Sequence, residues 1–125
     1  MIAVTSENFH KVLKDIDKRV ESLDEKTAYK VMFVSEEIIT NIIRHADFGE
    51  KIPDIGFDMK LNGGASLVFR DNAKKFDILA HQNPEITSDV KSRDLGGLGI
   101  YLTKKYAKNI NYFYEDGYNI LKLEI

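Results

Sequence analysis

The sequence contains no cysteine, which excludes disulfide bonds and thiolate metal sites. Its three histidines, His10, His45 and His81, are too widely spaced for a zinc-binding motif. There is no apolar run long enough to span a membrane, and the N-terminus lacks the basic start and apolar stretch of a signal peptide. Basic residues are not in excess either, since the formal net charge is −2. We therefore expect a cytoplasmic protein whose partners are neither nucleic acid nor a membrane.

The amino-acid composition of the chain is ordinary for a globular protein. Its 125 residues are 43% hydrophobic and 30% charged, which is enough apolar material for one core. A chain of this length is expected to form one domain, over residues 1–125.

Hydrophobic periodicity predicts three helices and two hairpins. Apolar residues recur at helical spacing over residues 6–22, 24–46 and about 97–108, with Ser6 and Asp24 as predicted N-caps. Alternating segments over 52–60 and 65–70, and over 110–114 and 118–124, each flank a glycine-containing turn. Between them, residues 72–95 carry no clear period apart from a short helical turn within 76–82, which is typical of a lid or binding loop. This order predicts an α+β domain with helices on one face of a sheet.

Three polar residues on the second predicted helix share one face. Glu37, Asn41 and His45 are spaced four residues apart, beside the apolar stripe. A carboxylate there would act as a general base, and an amide oxygen one turn away suits Mg²⁺. The alternative is a solvated polar edge, with His45 simply ending the helix near its C-terminal dipole.

A glycine run opens the third predicted helix. The residues Gly96, Gly97, Leu98 and Gly99 would let a phosphate approach unpaired backbone N–H groups. The alternative is a flexible segment that ends where the helix starts. Neither the dinucleotide-binding fingerprint nor the Walker A pattern is present.

Two more charged residues are candidates for ligand contacts. Asp71 ends a predicted strand and would accept a hydrogen bond from the amino group of a base, or else begin a turn. Arg93 precedes the glycine run and would reach terminal phosphate oxygens, or else be ordinary surface charge.

Taken together, these segments resemble the histidine kinase-like (GHKL, or Bergerat) ATPases, and within them the anti-sigma-factor serine kinases. The resemblance covers nearly the whole chain in the family's order. Residues 35–46 resemble the asparagine box, residues 68–72 the first glycine box, residues 76–77 the "FD" that follows it, residues 93–100 the second glycine box, and residues 114–121 the closing hairpin.

The resemblance implies a fold and a set of site residues. The fold is a two-layer α/β sandwich with a mixed, mainly antiparallel sheet. Glu37 is implied as the general base and Asn41 as the Mg²⁺ ligand. The implied nucleotide-binding residues are Asn41, His45, Asp71, Ala73, Arg93, Gly96, Gly97, Leu98, Gly99 and Asn119.

The resemblance also implies a function. Such a protein binds ATP or ADP with Mg²⁺, phosphorylates a serine on an antagonist of the STAS type, holds a sigma factor otherwise, and is a homodimer. One alternative is a non-catalytic protein-binding module, gated by nucleotide or free of it. A histidine-phosphorylating sensor kinase fits less well, because no dimerisation helix carrying a phosphoacceptor histidine is present.

The sequence departs from the family's pattern at three positions. Ala73 and Lys75 stand where the first glycine box has glycines, and Asn119 replaces a threonine. Ala73 is compatible with the box only if its backbone φ is not positive. Lys75 would turn to solvent or contact a phosphate, and Asn119 would weaken one contact on the adenine side.

Overall fold

The structure is a computed structural model that describes residues 1–80 and 97–125, with only the helical backbone described at Gly97 and Leu98. Within these ranges it has three α-helices and five strands. In chain order they are β1 (Ile2–Val4), α1 (Phe9–Arg19), a 3₁₀ turn (Val20–Ser22), α2 (Glu25–His45), β2 (Ile55–Leu61), β3 (Ala65–Asp71), a second 3₁₀ turn (Ile78–Ala80), α3 (Gly97–Tyr106), β4 (Asn109–Glu115) and β5 (Tyr118–Glu124).

The two predicted N-caps have different outcomes. Asp24 is confirmed, because its side chain accepts a hydrogen bond from the backbone N–H of Thr27 at 3.1 Å. Ser6 is wrong, because α1 begins three residues later, after Asn8. Thr5 and Asn8 exchange side-chain-to-backbone hydrogen bonds of 2.8 and 3.0 Å, and these close a turn before the helix.

The five strands form one sheet in the order β1-β2-β3-β5-β4. This confirms the predicted α+β class. Every strand pair among the described residues is antiparallel, whereas the resemblance implied a mixed sheet. Strand β1 was not predicted, because three residues are too few to show alternation.

The core lies between the sheet and the helices. Alternate residues of β2 and β3 are buried, and the rings of Phe57 and Phe69 pack at 5.2 Å. From the helical layer, α1 contributes Val12 and Ile16 to the same cluster. The α2 residues in this cluster are Val31, Val34, Ile38 and Ile39. The helices therefore cover one face of the sheet, and α2 is the central one. Of the helices described, none is both long enough and apolar enough to cross a membrane.

The closing hairpin depends on a tight turn with positive φ. Asp116 has φ of 51° and Gly117 has φ of 81°, as the two central residues of a type I′ turn require.

We expect Gly117→Ala to lower the free energy of unfolding by about 1 kcal/mol, because a Cβ atom disfavours a positive backbone φ. Chemical denaturation measures the change. Asp116→Asn is the control and should be close to neutral; equal stability of the two variants would contradict this account.

Candidate functional site

Glu37 and Asn41 lie one turn apart at the edge of the buried face of α2. Ser35, Ile38 and Ile39 are buried and fix the helix, while Glu37 and Asn41 are half-buried. Burial raises the pKa of Glu37, and the neighbouring Asn41 amide partly offsets this. The Asn41 Nδ2 atom is buried and makes no hydrogen bond to any described residue. The pair is thus a polar site at the border of an apolar core.

Gly99, the last residue of the glycine run predicted to hold phosphate, lies against this carboxylate. Gly99 is in the first turn of α3 and is buried. A Cβ built on Gly99 would lie 1.9 Å from Glu37 Oε1 and 2.0 Å from its carboxyl carbon. Only a residue without a side chain permits this approach without displacing Glu37. The structure therefore brings together two candidates that are 62 positions apart in sequence, since 99 − 37 = 62.

Asp71, at the end of β3, is 7% exposed. Its Oδ1 atom accepts hydrogen bonds from the backbone N–H of Ala73 at 3.0 Å and from Asn119 Nδ2 at 2.9 Å. Burial raises the pKa of Asp71, and these two hydrogen bonds partly offset the effect. No described residue donates a hydrogen bond to the other oxygen of Asp71, Oδ2. This atom is also not one of the buried polar atoms without a partner. One carboxylate oxygen is thus held by the protein, whereas the other accepts no hydrogen bond within the described part of the chain.

A family model for the histidine kinase-like ATPase domain matches residues 4–125 of the chain. The chain belongs to this family. The comparison with curated proteins gives no match. Membership in the histidine kinase-like ATPases supports ATP binding.

The substitution at Ala73 is compatible with the backbone of the first glycine box. Ala73 is 1% exposed, and among the described non-glycine residues only Asp116 has a positive φ. Its methyl group therefore meets no conformational penalty. Lys75 is exposed, and its Nζ lies 5.6 Å from the centroid of the Tyr114 ring. Lys75 and Tyr114 border an open cleft of about 610 Å³, which is also lined by residues 47–51 and by Lys74.

The remaining predicted residues are less well defined by the structure. His45 is exposed as the last residue of α2, and its predicted contact with nucleotide stays a prediction. Arg93 and Gly96 lie outside the described residues. Gly97 and Leu98 belong to the first turn of α3, and only their place in that helix is described.

Tyr112 also belongs to this region and was not predicted from the sequence. Its hydroxyl donates a hydrogen bond to Asn119 Oδ1, which connects β4 to the Asp71 end of the sheet. The available signal was its position: Tyr112 pairs with Leu121 and so lies on the buried face of the hairpin. A phenol on such a face needs a polar partner.

The residues on α2 fit the Mg²⁺ ion that the family implies. Mg²⁺ takes oxygen ligands and keeps several waters, so a protein usually supplies only one or two groups. Asn41 offers an amide oxygen, and its buried Nδ2 is a donor without a hydrogen-bond partner within the described part of the chain. The Glu37 carboxylate lies beside it. Asn41 would hold the ion directly, and the ion would neutralise charge on the phosphates.

The close approach of Gly99 and Glu37 predicts a non-additive pair of substitutions. Gly99→Ala should destabilise the protein by about 1–2 kcal/mol, because the new methyl displaces the half-buried Glu37 side chain. In a Glu37→Ala background the same change should be neutral, or should stabilise by up to about 1 kcal/mol, because alanine favours helix over glycine. Chemical denaturation of the four proteins measures the coupling.

The matched control pairs Gly99→Ala with Glu36→Ala. Glu36 is an exposed carboxylate on the same helix turn, so these two changes should add. Additivity in the Glu37 cycle as well would show that the two residues are not in contact.

The raised pKa of Asp71 predicts how the stability of an Asp71→Asn variant differs from that of the wild type as pH changes. A carboxyl group whose pKa is higher in the folded than in the unfolded protein stabilises the folded state at pH values below its unfolded pKa. This stabilisation is lost as the pH rises through the folded pKa. Asp71→Asn removes this loss and keeps Oδ1 as the acceptor for Ala73 and Asn119. Its melting temperature at pH 7 should equal or exceed the wild-type value, and the advantage should disappear as pH falls toward 3.8, the ordinary value for aspartate.

Thermal melting over this pH range measures the effect. Asp17→Asn, on the exposed face of α1, is the control and should show no such trend. A variant that is much less stable at pH 7 and recovers in acid would reverse the assigned sign.

Proposed function

We propose that this protein is an ATP-dependent serine kinase of the anti-sigma-factor type, which phosphorylates an antagonist protein and thereby gates a partner switch in transcription control. The observation that carries the proposal is the contact between Gly99, in the turn proposed to bind phosphate, and the Glu37 carboxylate. It puts a candidate base next to the place proposed for the terminal phosphate. Phosphoryl transfer depends mainly on such positioning.

Glu37 has the properties of a general base in this arrangement. Its desolvated carboxylate has a raised pKa and therefore binds a proton more readily than an exposed glutamate. In the proposed step the seryl oxygen forms a bond to the γ-phosphorus, while the bond from that phosphorus to the β–γ bridging oxygen breaks. The seryl proton goes to Glu37, and ADP is the leaving group.

Asn41 and Asp71 would bind the two ends of the nucleotide. Asn41 would hold the Mg²⁺ that accompanies the phosphates, and the free Oδ2 of Asp71 would accept a hydrogen bond from the adenine amino group. His45 and Arg93 are the further nucleotide-binding residues that we propose, together with the glycine run. Both ATP and ADP would bind to this set, because base and α-phosphate contacts are common to them.

The proposed protein partners follow the same branch of the family. The substrate would be a serine on an antagonist of the STAS type, and the alternative partner would be a sigma factor. We also propose a homodimer that works in the cytoplasm, without direct contact to nucleic acid or membrane.

Calorimetric titration with ADP and ATP, with and without Mg²⁺, tests the nucleotide site. We expect Mg²⁺-dependent binding that weakens more than about tenfold in Asn41→Ala.

Transfer of labelled phosphate from ATP to a STAS-type antagonist tests the kinase activity. Glu37→Ala should reduce the rate by about 100-fold, and Glu36→Ala should leave it unchanged. Transfer at the wild-type rate in Glu37→Ala would exclude Glu37 as the base.

A second candidate is a non-catalytic protein-binding module of the same family. The observation in its favour is Lys75, which replaces a glycine of the first box and lies against the Tyr114 ring. Titration separates the two functions. No binding at millimolar nucleotide, together with an unchanged melting temperature in Mg-ATP, would favour the module.

A further inference from the structure

The Asn119 side chain is the centre of a hydrogen-bond network at the Asp71 end of the sheet. Its Nδ2 donates to Asp71 Oδ1 at 2.9 Å, to the carbonyl of Lys74 at 3.1 Å and to the carbonyl of Ala73 at 3.2 Å. Its Oδ1 accepts from the backbone N–H of Phe76 at 2.9 Å and from the hydroxyl of Tyr112. Asn119 is 7% exposed.

This network fixes the orientation of the amide. The three groups that face Nδ2 are all acceptors, and the two that face Oδ1 are both donors. A flipped amide would oppose every one of these partners. Threonine has a single hydroxyl proton and would satisfy only one of the three acceptors at a time. The Asn119 amide therefore makes hydrogen bonds that the family's threonine would not make at this position.

The consequence concerns Asp71. Asn119 and Ala73 both donate to Oδ1, so they orient the carboxylate and leave Oδ2 for another donor. The hydrogen bond from Asn119 also lowers the pKa of Asp71 against the effect of burial. No cationic side chain forms an ion pair with Asp71 among the described residues. Burial raises the pKa of the Tyr112 hydroxyl, and the Asp77 and Asp71 carboxylates add to this effect.

We propose that Asn119 is a positioning residue that keeps Asp71 an acceptor and aims its free oxygen at the base, so that the site selects a purine with an exocyclic amino group. Asn119 then acts through Asp71 and the segment 71–76, and touches no ligand itself. This role rests on the proposed nucleotide-binding function and replaces the adenine-side contact expected for Asn119. Hypoxanthine, which carries an oxygen in place of the amino group, would be rejected because two acceptors would face each other.

The test uses the full chain in three forms: wild type, Asn119→Thr and Asn111→Thr. Asn111 is an exposed asparagine of β4, so its replacement is the matched control. The first measurement needs no nucleotide. NMR follows the titration of the Asp71 carboxyl and the hydrogen exchange of the Ala73 and Phe76 amides. We expect Asn119→Thr to shift the titration to higher pH and to speed exchange of the Phe76 amide about tenfold or more. The control should do neither.

The second measurement compares ADP with IDP by calorimetry. Wild type and Asn111→Thr should prefer ADP, and Asn119→Thr should lose about tenfold of that preference. Should Asn119→Thr not fold, Asn119→Asp replaces it. The aspartate keeps the acceptor for Phe76 and Tyr112 but removes the donor to Asp71. The Asp71 titration should therefore move to higher pH and the preference for ADP should fall, while exchange of the Phe76 amide should not speed up.

The outcomes separate this proposal from the proposed function. An unchanged Asp71 titration and unchanged amide exchange in Asn119→Thr would overturn the positioning role, whatever the protein binds. Wild type that binds neither nucleotide would overturn the nucleotide function and the selectivity with it. Wild type that binds ADP and IDP equally, with the NMR shifts present, would overturn the selectivity alone.

Discussion

The packing of α2 on the sheet is the constraint from which the site follows. Val31, Val34, Ile38 and Ile39 bury one face of the helix against the strands, and burial of apolar surface is the main stabilising contribution in a domain of this kind. This fixes the rotation of the helix and therefore the direction of its polar border. Glu37 is partly desolvated because it lies at the edge of this buried face, and its raised pKa is a by-product of the packing of the helix.

The site combines two regions held by different forces. On the helical side, van der Waals contact between Gly99 and Glu37 sets how closely α3 approaches α2. On the sheet side, hydrogen bonds from Asn119 hold the residues after β3. Both regions contain a carboxylate whose burial raises its pKa and whose amide neighbour partly offsets that effect. A buried carboxylate beside a side-chain amide thus occurs twice, once near the place proposed for the phosphates and once near the place proposed for adenine.

Long, strongly periodic elements could be predicted from the sequence, and contacts between them could not. The 21-residue α2 and both hairpins were predicted with small errors at their ends, because each has its own apolar pattern. Ser6 was wrong because Thr5 and Asn8 hydrogen-bond to each other and close the turn before the helix. Strand β1 and the network around Asn119 were missed because they depend on residues distant in sequence. That Ala73 is compatible with its box follows from a backbone φ, which composition does not encode.

The strand order has a consequence for how the chain folds. Hairpins β2–β3 and β4–β5 are local, but β3–β5 joins residues 65–71 to residues 118–124 across the chain. Local pairings form early at little entropic cost, whereas closing a long segment must precede the contacts that stabilise it. We therefore expect formation of the β3–β5 ladder to limit the folding rate. Because this same ladder pairs Asp71 with Asn119, the proposed base-binding end would be completed only at that last, slow step.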